Sequence, residues 1–413
     1  MATEAQVLPP NHITPEALRN PVALYTELRS NDPVHWSATM GAWIITRYDD
    51  VMNCFRHPNL SADRGKLFEH QVRLMGMQVE EAQAILDVTN RHMGNQNGAE
   101  HLRLRRQAGP GFSPQVLDRW RPAIRRTMDG LLSQVQHQGH MDLAKQISYQ
   151  LPPLVIAELL GIPTEDRTLF QSWSEPLARF ASATGLSDMV ELTRRANKAM
   201  VEFNRYLMGI IEQRRLAPGE DVISLMIHGQ EAGRMSQEEL VANSVLILLA
   251  GHITTTDQIS NGMYSLLSHP EQSRMLREDP LLMRSAVEEV MRFDPAIPFI
   301  HRVVAETFQL RGKTLKQGDI VFLGMASANR DPGVFPDAER FDITRDSVHQ
   351  KHLSFAFGPH HCLGAGLARR ELEICFEMLL ERFPGLCLDE EQPPKLKSPT
   401  LLFRGFESLH VRW

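Results

Sequence analysis

From His101 to about Leu216 apolar residues recur with helical spacing, punctuated by Pro110, Pro114, Pro122, Pro152 and Pro163, which predicts several successive helices. Ser236-Gln-Glu-Glu239 reads as a capping box, in which the serine caps a backbone N–H and the glutamate reaches back. The helix it starts should run to about Leu267 without a proline. At about 1.5 Å per residue it must cross a whole domain. Asn20–Ser30, Pro280–Phe293 and Ala365–Phe383 predict further helices. Ala42–Tyr48 (AWIITRY) is β-branched and aromatic and predicts a strand. Ser61–Gly98 has weak periodicity and many Gln, Asn and Met residues, and reads as a long, partly helical loop of the kind that carries function. Pro295–Phe341 is rich in strand and turn signals, and the last twenty residues read as strand and loop. The expected fold is mostly α with a smaller β region contributed by both ends of the chain.

No internal repeat, low-complexity tract or dividing linker interrupts the chain, so one domain over residues 1–413 is expected. Within it, 20–100 is mixed α/β, 101–294 is a helical core with the long helix 237–267, and 295–413 holds the β-rich end. A formal net charge of -6 argues against a general nucleic-acid binder. The polar N-terminal segment Met1–Pro15 has no apolar core, and the longest apolar run, Val245–Ala250, is far too short to span a bilayer. No signal peptide or membrane anchor is expected, and the scattered Cys54, Cys362, Cys375 and Cys387 suit reduced thiols in a cytoplasm.

The most informative segment is Phe355-Ala-Phe-Gly358-Pro-His360-His361-Cys362-Leu-Gly364. Cys362 stands just before a predicted helix, where the N-terminal partial charge and free backbone N–H groups favour a thiolate. Flanking glycines let the backbone approach a flat ligand. The segment resembles the heme-binding loop of the cytochrome P450 family, written FGxGxHxCxG, through Phe355, Gly358, His360, Cys362 and Gly364. Ala356 replaces the family's second-position glycine, and Gly366 stands where a proline is common. The resemblance implies the P450 fold, heme b (iron protoporphyrin IX) as cofactor and Cys362 as its axial iron ligand. The alternative of zinc held by His352, His360, His361 and Cys362 lacks a CxxC pair and asks adjacent residues to share one ion.

Other motifs follow in the family's order. Glu289 and Arg292 share a helix face and match ExxR, and the third member from the PERF-like Asp337-Ala-Glu-Arg340-Phe341 is expected to be Arg340. The implied role is a buried charge network that fixes the Cys362 loop. His101 and Arg105 match HxxxR; with Arg302 and His360 they are implied partners of the heme propionates, to which charge-assisted bonds are strong. Phe355 and Gly364 complete the implied cofactor contacts. Ala250-Gly251-His252-Ile253-Thr254-Thr255-Thr256 resembles the oxygen-binding groove AGxxT. Gly251 would let the helix open, and Thr254 would guide protons to oxygen. This chain has Ile253 where the family usually has Asp or Glu. Thr254, ordered water, Asp257 or a substrate hydroxyl must then supply the protons.

The resemblance spans Asn20-Pro21 to Arg404-Gly405, including Ala328-Asn-Arg-Asp-Pro332. It implies a monooxygenase acting on a partly hydrophobic small molecule in bacterial secondary metabolism, with electrons from NAD(P)H through a ferredoxin and reductase. It also implies a cytoplasmic monomer. Substrate positions are expected in the loop 67–93, in 170–186, and at Leu246, Ile253, Ile297, Phe299 and Leu401. Arg103, Arg106, Lys351, Arg369 and Arg370 are expected to form a basic docking surface. The loss of the acid at Ile253 leaves radical coupling or desaturation as a rival chemistry. A non-catalytic heme sensor is the rival of another class, and the oxygen groove disfavours it.

Overall fold

The capping box at Ser236 closes as its residues require: Glu239 N–H donates to Ser236 Oγ at 3.2 Å, and Ser236 N–H donates to Glu239 Oε2 at 2.8 Å. The helix that follows is unbroken over Gln237–Leu267. The structure is a computed structural model and describes residues 14–182, 188–228, 235–346, 351–397 and 401–413. By length and composition this helix could cross a membrane, but 67% of its most apolar window is buried inside the protein, as in a core helix.

The residues group into two compact units, each assembled from separate stretches of chain. The first comprises residues 1–61, 269–361 and 396–405. Its centre is a five-stranded sheet in the order Val34–Ser37, Ala42–Ile45, Ile320–Gly324, Phe299–Val304, Leu60–Ser61. Only the Ala42–Ile45 and Ile320–Gly324 pair is parallel. Successive side chains point to opposite faces. Ile45, Val321 and Leu323 therefore enter one buried cluster with Val51, Cys54 and Phe55. Ile44 and Phe299 enter another with Leu24, Tyr25 and Leu28 of the helix Val22–Asn31.

The second unit comprises residues 62–268, 362–395 and 406–413. Here the long helix packs against Leu151–Leu159, Gln83–Arg91 and Ala365–Arg382. The helix Ala365–Arg382 is also laced to Pro114–Val135 by Arg370–Asp118 (2.7 Å), Arg121–Glu373 (3.0 Å), Arg125–Glu377 (2.6 Å) and Arg382–Asp129 (2.6 Å). A Cβ at Gly366 would lie 2.8 Å from Leu117 Cδ1, so the two helices pack closely at this glycine.

Three predicted elements need correction. Residues 61–98 are not mainly loop: they form the helices Gly65–Leu74 and Gln83–Arg91 with short 3₁₀ turns between and after them. Both helices are amphipathic but short, ten and nine residues long. The strand predicted to Tyr48 ends at Ile45, and Tyr48 opens the helix Tyr48–Cys54. The helix predicted from Pro280 begins as a 3₁₀ turn, Pro280–Leu282, and is α-helical over Met283–Phe293.

Candidate functional site

In the first unit the helix Met283–Phe293 presents Glu289 and Arg292, one turn apart and both fully buried. Arg292 binds Glu289 through a fork: Nε to Oε2 at 2.7 Å and Nη2 to Oε1 at 2.8 Å. Its remaining donors reach the backbone carbonyls of Asn329 (2.9 Å), Ala338 (2.8 Å) and Arg340 (3.0 Å). Asn329 then carries the restraint onward. Its Oδ1 accepts from Leu353 N–H at 2.7 Å, and its Nδ2 donates to Ser354 Oγ at 2.8 Å. Ser354 Oγ in turn donates to the Met291 carbonyl at 2.6 Å. A buried ion pair thus fixes the entry to the loop through Asn329 and Ser354, neither of which was singled out from sequence.

The third member of this network is not Arg340. Its side chain is 66% exposed and stands 4.0 Å from Asp342; only its carbonyl joins the buried cluster. Arg345, whose side chain is 10% exposed, places Nε 3.3 Å from Glu289 Oε2. Its terminal nitrogens donate to the carbonyls of Pro336, Asp337 and Arg340. Asp342 N–H completes the cluster on Glu289 Oε1 at 2.8 Å.

The loop turns sharply beyond Ser354. Ala356 and Gly358 both adopt positive φ, 58° and 74°. A Cβ at Gly358 would meet Arg56 Cγ at 3.0 Å and the Phe55 carbonyl at 3.3 Å, so glycine is required there for conformation and for space. Ala356 accepts the left-handed conformation at a cost of about 1 kcal/mol. Ala356→Gly should therefore stabilise the protein by up to roughly that amount, read as a higher Tm; a lowered Tm would contradict it. Arg56 stacks on Phe357 at 4.1 Å, and Phe355 is buried beside His352 and His361. His360 is half-buried. Arg302 is buried in the strand Phe299–Val304, donates to the His301 carbonyl at 2.9 Å and lies over Phe55 at 5.7 Å. His352 pairs with Glu288 at 3.2 Å. Among the described residues no three His, Cys, Asp or Glu side chains converge, so the zinc alternative has no geometry here.

In the second unit Cys362 precedes Gly364, the N-cap of the helix Ala365–Arg382. The residue is exposed, while protein atoms crowd its sulfur. That burial raises the thiol above its usual range; the backbone N–H of Gly364, the Arg105 and Arg369 guanidinium groups and the backbone N–H of Ala365 act in the opposite direction. Arg105 is lowered by burial and raised by Cys362, so the two sense each other directly. The sulfur therefore has donors and cations for an anion but is costly to ionise unaided, which suits a thiolate paired with a metal ion. His101 is buried one turn before Arg105 on the helix Gly98–Ala108.

The long helix is buried on most sides but open along Leu246, Leu249, Ala250 and Thr254. These positions share one face at spacings of three and four. Ile253 lies within that stripe and is almost fully buried. Thr254 Oγ1 donates to the Ala250 carbonyl at 2.7 Å. Gly251 does not open the helix, which runs on without a break; a Cβ there would stand 3.0 Å from Ile156 Cδ1. Asp257 is buried to 1% exposure, so bulk water does not reach it directly.

Two of the expected substrate positions are core residues. Phe299 is fully buried, edge-on to Tyr25 at 5.8 Å, and Leu401 joins it in the same cluster. Ile297 packs at the edge of the other cluster of that unit. The stretch 170–186 is described only to residue 182. The expected basic surface is thinner than its composition suggests. Arg103 is bound to Glu100 and Glu239, and Arg370 to Asp118. Arg106 and Lys351 remain exposed.

The family described as "Cytochrome P450" matches residues 82–406. The chain is 33% identical over 401 residues to the polyketide biosynthesis cytochrome P450 PksS of Bacillus subtilis (strain 168), covering 95% of each. It is 34% identical to the cytochrome P450 monooxygenase PikC of Streptomyces venezuelae, covering 95% of this chain and 91% of that one. The crystal structure of P450BioI in complex with acyl carrier protein ligated by hexadec-9Z-enoic acid superposes with a TM-score of 0.86 at 32% identity, over 96% of this chain and 99% of that one. The fold and these similarities define a heme-dependent oxidoreductase. The chain belongs to the cytochrome P450 family, and it is a P450 monooxygenase.

Proposed function

We propose that the protein inserts one oxygen atom of O₂ into a partly hydrophobic small molecule of bacterial secondary metabolism, acting as a cytoplasmic monomer. Electrons come from NAD(P)H through a reductase and a ferredoxin. Cys362 would hold the heme iron, His101, Arg105, Arg302 and His360 the propionates, and Phe355 and Gly364 the edges of the ring. When bound, a thiolate-ligated heme supplies O₂ reduction and O–O cleavage. The protein's own part is orientation, exclusion of water and proton delivery. Thr254 can release its bond to the Ala250 carbonyl and hold a proton at Oγ1 on the open face of the long helix. Glu289, Arg292, Asn329 and Ser354 position the loop.

The observation that carries this reading is the placement of Cys362, an exposed cysteine at the start of the helix Ala365–Arg382, beside the backbone N–H groups of Gly364 and Ala365 and the Arg105 guanidinium. Turnover with a surrogate ferredoxin and reductase under isotopically labelled O₂ tests it: one labelled oxygen in the product is expected. A product that is oxidised but unlabelled would replace it with coupling or desaturation, the chemistry that the apolar Ile253 leaves open.

Arg106 is exposed and forms no ion pair among the described residues, which suits docking of an acidic ferredoxin. Arg106→Glu should slow reduction by the ferredoxin about tenfold at low ionic strength, with the difference shrinking in high salt. Reduction kinetics unchanged at low salt would remove this surface from the docking site.

A further inference from the structure

The segment that follows the helix Gln83–Arg91 carries a buried histidine that the oxidation reaction does not use. His92 is only 9% exposed, and its Nδ1 is buried with no hydrogen-bond partner. A Cβ at Gly94 would stand 3.3 Å from that Nδ1 and 3.5 Å from Leu246 Cδ1, so the imidazole lies beside the start of the open stripe on the long helix. The segment is tied there: Met93 N–H donates to Asn243 Oδ1 at 3.0 Å, and Asn243 Nδ2 donates to the Glu239 carbonyl at 2.8 Å.

Arg64 shares this corner. Its Nε donates to Asn95 Oδ1 at 3.2 Å and its Nη2 to the Gly94 carbonyl at 3.4 Å. No carboxylate forms an ion pair with it among the described residues. Asp63 is instead committed to Gly65 N–H (3.0 Å) and Asn95 Nδ2 (3.2 Å), acting on Arg64 only through its field. Burial and the neighbouring Arg64 charge hold His92 neutral, pushing it down to about 3. A half-buried cation with no ion-paired acid among the described residues and a buried neutral imidazole whose Nδ1 lacks a partner leave bonding capacity that a ligand would complete.

Resting on the monooxygenase reading, we propose that Arg64 and His92 form the head-group end of the substrate site and select molecules with a carboxylate at one end of an apolar body. Leu246, Leu249 and Ala250 supply the apolar wall. Leu246 and Thr254 are eight residues apart on one helix face, about 12 Å at 1.5 Å per residue, so the oxidised carbon lies roughly that far from the acid group.

The test uses ferric holoenzyme titrated with dodecanoate and deoxycholate, each against its methyl ester, and read by heme spin-state shift. A hydrogen-bonded charge separates acid from ester by about tenfold or more in affinity. At least one acid should outbind its ester by that margin. Arg64→Gln should abolish the preference by weakening the acid alone, Arg64→Lys should keep part of it, and His92→Phe should reduce it. Equal binding of both acids and their esters, or a preference that survives Arg64→Gln, overturns the proposal. Each variant is checked by its ferrous–carbon-monoxide spectrum; if Arg64→Gln fails to fold, His92→Phe and Arg64→Lys decide. A wild type without the thiolate spectrum means that the monooxygenase reading has failed. An intact spectrum without acid preference means that this proposal alone has failed.

Discussion

Arg292→Ala should cost about 3–5 kcal/mol and yield protein that retains little heme, because it removes the bidentate partner of the fully buried Glu289 carboxylate and leaves it only Arg345 and the Asp342 N–H. Arg345→Ala should cost about 2–3 kcal/mol, since it removes one cation and three bonds to the backbone while Arg292 still binds Glu289. Arg340→Ala should change stability by no more than about 0.5 kcal/mol, as expected of an exposed side chain. Chemical denaturation of the three variants, with heme content measured alongside, ranks them. The loop is reached from Arg292 through Asn329 and Ser354, so heme loss should follow the same order. A ranking with Arg340 above Arg345 would show that the wrong arginine has been placed in the network.

Thr254→Ala should lower product formed per NAD(P)H consumed by about tenfold or more, with the missing equivalents released as hydrogen peroxide. Positioned proton transfer commonly contributes factors of 10² or above, and the neighbouring Ile253 has no proton to offer in its place. Ile253 is apolar and Asp257 is fully buried, so of these three residues only Thr254 presents a proton-carrying group on the open face. Substrate binding and the resting heme spectrum should be unchanged. Coupling equal to that of the wild type would assign proton delivery to water or to the substrate alone.

How much of this was legible in the sequence depends on how local the chemistry is. The Ser236 capping box and the long helix were, because a cap is decided by residues three apart and the apolar pattern runs on to Leu267. Glu289 and Arg292 were legible as a pair for the same reason. Arg345 was not. Both it and Arg340 follow the same turn, and the selection is made by backbone geometry: Asp337 takes φ 49°, and Asp342 N–H docks on Glu289. Spacing does not encode that. The core placement of Phe299 and Leu401 was not legible because both faces of the sheet are buried, so an apolar residue does not reveal whether it meets a ligand or the core. Arg64 and His92 gave no signal, since an arginine and a histidine nearly thirty residues apart become a pair only when Asn95 and Gly94 fold onto Arg64.

Everything functional turns on the sulfur at the start of the helix Ala365–Arg382. The ferrous–carbon-monoxide absorption spectrum of the purified protein, recorded beside that of Cys362→Ala, interrogates it without requiring a known substrate. The wild type should show the red-shifted band of thiolate ligation, and the variant should lose it entirely. A colourless wild type, or a variant spectrum indistinguishable from it, would contradict the assignment.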